Sequence, residues 1–150
     1  MEVKAIDPYC PVEVMADAGV GVAESVPALY GESDIVSIHI PATPETTGSI
    51  GRDLISRMPK GAVLINTARK EVINETELEE VLRERPDIKY FADVKPKNAD
   101  ALVEQFGKRV FFTPKKSGAQ TAEANLNAGV AAARQIVAFF ADGSDRFRVN

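Results

Sequence analysis

The chain has 150 residues, a length that suits one domain, and 45% of them are hydrophobic, enough for that domain to build a core. Its formal charge of −4 provides no basic face for nucleic acid, and no apolar run approaches the roughly 18 residues of a membrane span. The lone cysteine, Cys10, has no internal disulfide partner and reads as inert, and Met1-Glu2-Val3-Lys4 does not open a secretory signal, so the cytoplasm is the expected compartment.

Residues 3–6 read as a strand stopped at Asp7-Pro8, which leaves Asp7 at the carboxyl edge. In a dinucleotide-binding fold an acid there binds the two ribose hydroxyls of NAD and repels the extra phosphate of NADP; a plain turn residue fits the position equally well. The Gly-x-Gly-x-x-Gly turn that accompanies such an acid from about 20 residues upstream is absent. Gly19 and Gly21 follow the acid, lack a helix-opening context and read as loop or short-strand residues. Residues 11–18 have Val12, Met15 and Ala16 at helical spacing, and 25–30 form a second helix candidate with Pro27 in its first turn. Residues 34–40 read as a strand that stops at Pro41, and its His39, the only histidine, is an acid–base candidate by residue type.

A short helix over 52–58 precedes the apolar run 62–65, which is bounded by Gly61 and Asn66 in the pattern of a strand buried on both faces of a parallel sheet. The turn it feeds, Asn66-Thr67-Ala68-Arg69, is small enough for a flat ligand to approach the backbone, and Arg69 offers a planar, permanently charged fork that suits a carboxylate. A surface ion pair is the plainer reading of the same arginine. Helix 74–82 starts with an Asn74 cap, carries Glu77 at the capping-box position and buries Leu78, Val81 and Leu82, its glutamates forming a solvated face and not a metal site. Strands follow at 88–92, ending at Asp93, and at 110–112, leading into Thr113-Pro114. Residues 120–140 form one long helix with Ala122, Leu126, Val130, Ile136 and Phe140 along an apolar side, and Phe147 is expected to dock back on the surface. This alternation is that of a single α/β unit with a mainly parallel sheet.

Four stretches together resemble the D-isomer-specific 2-hydroxyacid dehydrogenases: Asn66-Thr67-Ala68-Arg69; His39-Ile40-Pro41 with Thr43-Pro44-Glu45-Thr46; Asp93-Val94; and Phe112-Thr113-Pro114 with Gly118-Ala119. They stand in that family's order and spacing, and the resemblance covers nearly the whole chain. It implies a Rossmann-like doubly wound parallel sheet, an incomplete NAD-binding domain with a long C-terminal helix, lacking the glycine-rich turn and the substrate-binding domain. Residues 1–150 then form the later portion of one NAD-binding domain. Implied with it are NAD as cofactor, a 2-hydroxy or 2-oxo acid as substrate, and hydride transfer between them.

Under the resemblance Arg69 holds the substrate carboxylate, Asp93 contacts the nicotinamide part, and Ile40 and Pro41 lie under the adenosine. Asp7, Thr46, Thr67, Ala68, Ser117 and Gly118 complete the implied cofactor contacts, and His39 becomes a structural or cofactor-side residue. The family's histidine after Thr-Pro, and the glutamate that orients it, are replaced by Lys115 and Asn98. Two readings stay open. Either Lys115 takes over proton exchange, with Asn98 in the glutamate's place, or catalysis is lost and the chain is a dinucleotide-binding or interaction protein. A lysine near its reference pKa of ~10.4 donates well but is a poor base at neutral pH, so acting as a base requires depression by burial or by Arg69 and Lys116. Apolar surface expected on 3–6 and 62–65, together with the long helix, favours a homodimer or larger homo-oligomer, with neither nucleic acid nor membrane as partner.

Overall fold

The computed structural model describes residues 1–114 and 121–146, and the chain divides into two compact units, 1–114 and 115–150. The first unit contains strands β1 (Lys4–Ala5), β2 (Gly21–Val22), β3 (Ile35–Ile38), β4 (Val63–Asn66), β5 (Lys89–Ala92) and β6 (Val110–Phe112). Between them lie helices α1 (Val12–Asp17), α2 (Val26–Glu32), α3 (Arg52–Ile55), α4 (Glu75–Glu84) and α5 (Ala99–Phe106). The strands form two parallel sheets, β1-β2 and β3-β4-β5-β6, in the α/β, Rossmann-like manner expected.

Register in the larger sheet follows side-chain burial. Ile35 pairs with Val63 and Val63 with Lys89, while Val36, Leu64 and Tyr90 form a buried row across the sheet. Helices close over it with Ile55, Leu78, Leu82 and Leu102, each essentially inaccessible and each contributing about 1.5–3 kcal/mol from burial. Local signals start the helices: the Ser25 hydroxyl accepts the Ala28 N–H at 3.2 Å, and Asn74 Oδ1 accepts the Glu77 N–H at 3.2 Å.

Several expectations change. Residues 62–65 do not form a sheet edge, because β4 lies between β3 and β5 with Leu64 buried; the exposed edge residue is Ile35 on β3, together with Val3 and Ile6 around β1. Helix α3 ends at Ile55, since Arg57 and Met58 turn their N–H groups to the carbonyls of Leu54 and Ile55 in a tighter winding. Glu77 does not reach back to the Asn74 N–H, which bonds to the Ile50 carbonyl at 2.9 Å. Its carboxylate accepts the Arg52 N–H of α3 at 2.7 Å. Nor is the acidic face of α4 merely solvated, for Arg52 pairs with Glu80 at 2.9 Å and Glu84 at 2.6 Å. Helix α5, unforeseen, is seated by Ala99, Leu102 and Phe106.

The second unit contributes α6 (Ala122–Asp142). The Thr121 hydroxyl caps it by accepting the Ala124 N–H at 3.0 Å, and Gly143 ends it in the left-handed conformation at φ 67°. None of its residues is buried, and Leu126, Ile136, Val137 and Phe140 are exposed. No described helix is long and apolar enough to cross a membrane. Phe147 lies outside the described residues.

Candidate functional site

Four parallel neighbours bring their carboxyl ends to one edge of the larger sheet, and most of the residues singled out in the sequence collect there. Ile40 and Pro41 follow β3, Thr67, Ala68 and Arg69 follow β4, Asp93 follows β5 and Thr113 follows β6.

The turn after β4 is built on Asn66. Its Oδ1 accepts the Ala68 N–H at 3.0 Å and its Nδ2 donates to the Arg69 carbonyl at 2.8 Å, while its own carbonyl accepts the Asp93 N–H at 3.0 Å. The Arg69 guanidinium is exposed and donates to the Ala68 carbonyl at 2.9 Å. Among the described residues no carboxylate pairs with it, so no ion pair within them accounts for its position. Thr67 is exposed, whereas Ala68 is half-buried against the core.

Asp93 is fixed from the next strand end. The Thr113 hydroxyl donates to Asp93 Oδ1 at 2.7 Å, with the Asp93 carbonyl 3.0 Å away, and the Thr113 N–H donates to Ala92 at 3.1 Å. Thr46 turns its hydroxyl inward to its own loop, donating to the Pro41 carbonyl at 2.6 Å and accepting the Thr43 N–H at 2.7 Å. That loop is stitched to the segment after Arg69 by bonds from Gly48 to Glu71 at 2.9 Å and from Ile50 to Val72 at 3.0 Å. His39 is exposed, its Nε2 lying 2.9 Å from the Ser37 hydroxyl.

Two candidates stand apart from this edge. Asp7 follows β1 in the smaller sheet, exposed, with Oδ1 accepting the Tyr9 N–H at 2.9 Å in a local turn. Asn98 occupies the N-cap of α5 but its side chain makes no capping bond. Its Nδ2 donates to Glu79 Oε2 at 3.3 Å, and its Oδ1 is buried without a hydrogen-bond partner. A carboxylate only accepts, so Glu79 dictates which way this amide faces. Lys115, Ser117 and Gly118 fall outside the described residues.

Burial pushes the Tyr90 phenol up to about 12, with Asn66 drawing it back slightly. Among the described residues no three His, Cys, Asp or Glu converge as a metal site. Sequence reading missed Asn66 and Thr113 as supporting groups. An asparagine opening a tight turn was a usable signal for the first, since its side chain bonds the backbone two residues on. Nothing local marked the second, whose partner lies on another strand.

The family model described as "D-isomer specific 2-hydroxyacid dehydrogenase, NAD binding domain" matches residues 1–116. D-3-phosphoglycerate dehydrogenase of Methanocaldococcus jannaschii is 35% identical over 140 residues, covering 91% of this chain and 26% of that protein. Glyoxylate reductase of Aeropyrum pernix is 36% identical over 118 residues, covering 77% of this chain and 35% of the reductase. The NAD+-bound structure of 3-phosphoglycerate dehydrogenase from Entamoeba histolytica aligns with a TM-score of 0.84 at 41% identity, over 100% of this chain and 47% of that one. The chain therefore spans well under half the length of the curated relatives it matches.

Proposed function

Because the chain belongs to the D-isomer specific 2-hydroxyacid dehydrogenases, we propose that it supplies the later part of the NAD-binding domain of an enzyme that oxidises a D-2-hydroxy acid, 3-phosphoglycerate being the substrate we favour. The observation that carries the reading is Arg69: an exposed guanidinium without a carboxylate partner among the described residues, held at the carboxyl edge of a parallel sheet one strand from Asp93. Such a fork binds a carboxylate in two places and polarises the adjoining carbonyl.

The residues present suit NAD at its two ends. Asp7 keeps Oδ2 clear of the Tyr9 amide, an acceptor fit for a ribose diol. Asp93, oriented by Thr113, is an acceptor fit for the amide of a nicotinamide ring. Ile40, Pro41, Thr67 and Ala68 give the sheet edge between them a small, largely apolar lining. Thr46, Ser117 and Gly118 complete the assignment on the strength of the family motif alone. When bound, NAD supplies the hydride acceptor.

The hydroxyl proton needs its own acceptor, and Lys115, directly after Thr113-Pro114, is the group assigned to it, with Asn98 standing where the family carries a glutamate. Phosphoglycerate is favoured because relatives of that name align along most of this chain and Lys115-Lys116 add positive charge. The reaction would then be the first step of serine biosynthesis, in the cytoplasm. A non-catalytic dinucleotide-binding role is the second reading. It is favoured by one fact, that the only histidine contacts Ser37 on β3.

The test is NADH formation by the full-length enzyme with a panel of D-2-hydroxy acids, with Arg69→Lys alongside. Activity on 3-phosphoglycerate that falls at least about tenfold in kcat/KM on that substitution supports the assignment. A change below about threefold, under 1 kcal/mol of transition-state stabilisation, removes Arg69 from the site.

A further inference from the structure

We infer that Asn66 positions Arg69 for the substrate carboxylate, its two side-chain hydrogen bonds setting the direction in which the guanidinium leaves the turn; this rests on the dehydrogenase reading above. Asn66 is the one polar residue among the described residues that is buried, at 0% exposure. A buried amide is costly unless its donor and acceptor are both satisfied, and here each has a partner in the same turn. Oδ1 holds the Ala68 N–H and Nδ2 holds the Arg69 carbonyl. With its carbonyl drawn inward, Arg69 takes an extended backbone at φ −139° and ψ 141° and sends its side chain out to solvent.

Among the described residues the guanidinium itself bonds only to the Ala68 carbonyl, within the turn that Asn66 organises. The bond from Asp93 to the Asn66 carbonyl involves backbone atoms, so changing the side chain leaves that link to β5 in place. The Asn66 side chain also faces the Tyr90 hydroxyl of β5, whose pKa it draws down, so substitution changes this contact together with the turn while the backbone link to Asp93 stays.

The two bonds demand one acceptor and one donor. Aspartate has the same shape, but when ionised it offers only acceptors and turns one of them toward the Arg69 carbonyl. When protonated it regains the donor and restores both bonds. The titratable groups around this position are Arg69 in the turn, Tyr90 on β5 and Asp93 just after it, Glu75 opening α4, whose charge reaches Tyr90, and His39 beyond β3. Burial, Asp93 and Glu75 favour the protonated acid, while the Ala68 N–H, the neutral Tyr90 hydroxyl and, through solvent, the exposed Arg69 favour the ionised one. Asn66→Asp thus becomes a replacement that works in acid and fails as it ionises.

The experiment compares kcat and KM of Asn66→Asp, Asn66→Ala and the unsubstituted full-length enzyme in 2-oxo acid reduction between about pH 5 and about pH 9. Expected is Asn66→Asp within about threefold of the unsubstituted enzyme at the acid end. Toward alkali it falls at least about tenfold further than that enzyme, through KM for the 2-oxo acid more than KM for NADH. Asn66→Ala is low throughout, without the added pH dependence. The inference is overturned if Asn66→Asp parallels the unsubstituted enzyme at every pH, if both variants are equally impaired at every pH, or if circular dichroism shows the alkaline loss to coincide with unfolding. An unsubstituted enzyme inactive on every 2-oxo acid overturns the dehydrogenase reading and this inference together, a result distinct from an active enzyme whose profile does not move.

Discussion

Replacing Gly51 with alanine isolates the contact that joins α3 to α4. Gly51 is buried at the cap of α3 with φ −137°, extended backbone that alanine adopts without strain. An added Cβ, however, would lie 2.0 Å from Glu77 Oε2 and 3.0 Å from its Cδ. The carboxylate is the far end of a flexible side chain, so it swings away and gives up its 2.7 Å bond to the Arg52 N–H. A hydrogen bond to a charged group is worth about 1.5–3 kcal/mol, and the reduced freedom of the unfolded alanine chain offsets about 0.4–1 kcal/mol. The net loss is about 1–2 kcal/mol, a fall in Tm of about 4–8 °C for a unit of this size. Thermal unfolding followed by circular dichroism measures it, and a double-mutant cycle with Glu77→Ala assigns it: without the carboxylate, Gly51→Ala becomes neutral or slightly stabilising. An equal cost in both backgrounds, or a stabilised Gly51→Ala single variant, refutes the reasoning.

Asp87 gives the acid dependence of the same unit. The Arg85 guanidinium first, then the Gly61 N–H, hold its carboxyl well below the usual carboxylate range. Its folded pKa lies below the unfolded value of about 4, so this stability is complete above that value and is lost as pH falls through the folded pKa. Asp87→Asn should lower Tm at neutral pH and approach the unsubstituted protein in acid; a constant difference at all pH values sinks the assignment. Lys115→Met in the full-length enzyme should lower kcat about 100-fold or more in both directions while sparing NAD affinity, and in the unsubstituted enzyme oxidation should rise toward alkaline pH. Near-normal turnover with an unchanged pH profile would make Lys115 a loop cation. Exposed Ile35 on the edge strand β3, and Ile136 and Phe140 on α6, lead us to expect a dimer or larger assembly of this chain. Light scattering that finds a clean monomer at about 100 micromolar counts against it.

Features written in neighbouring residues were legible from sequence. Asn74 announces a helix start because its side chain serves an amide three residues on, and the apolar run before Asn66 announces a strand. Arg69 was legible as a candidate because small residues and a single fork follow that strand. Contacts between distant segments were not. Glu77 fits a local capping box, yet the Arg52 amide of another helix competes for its carboxylate and wins. The interior place of β4 depends on which strands flank it, a matter of topology that its own four residues do not carry. Helix α5 was missed because Pro96-Lys97-Asn98 reads as loop and its buried Ala99, Leu102 and Phe106 are sparse. Thr113 and Asp93 meet only because β5 and β6 are neighbours.

Among the described residues every strand of the larger sheet is bonded only to its neighbours in chain order. Each pairing therefore closes one modest loop containing its own helix, and none waits for a distant segment to arrive. Strand β4 pairs with β3 and offers its free edge to β5, which offers its own to β6. The two bonds that close the polar turn at Asn66 lie within three residues, so the turn itself needs no distant segment. The backbone link from Asp93 ties it to the end of the next strand. The order of the strands along the chain is thus their order across the sheet, and the turn carrying the guanidinium is tied to the strand end that follows it.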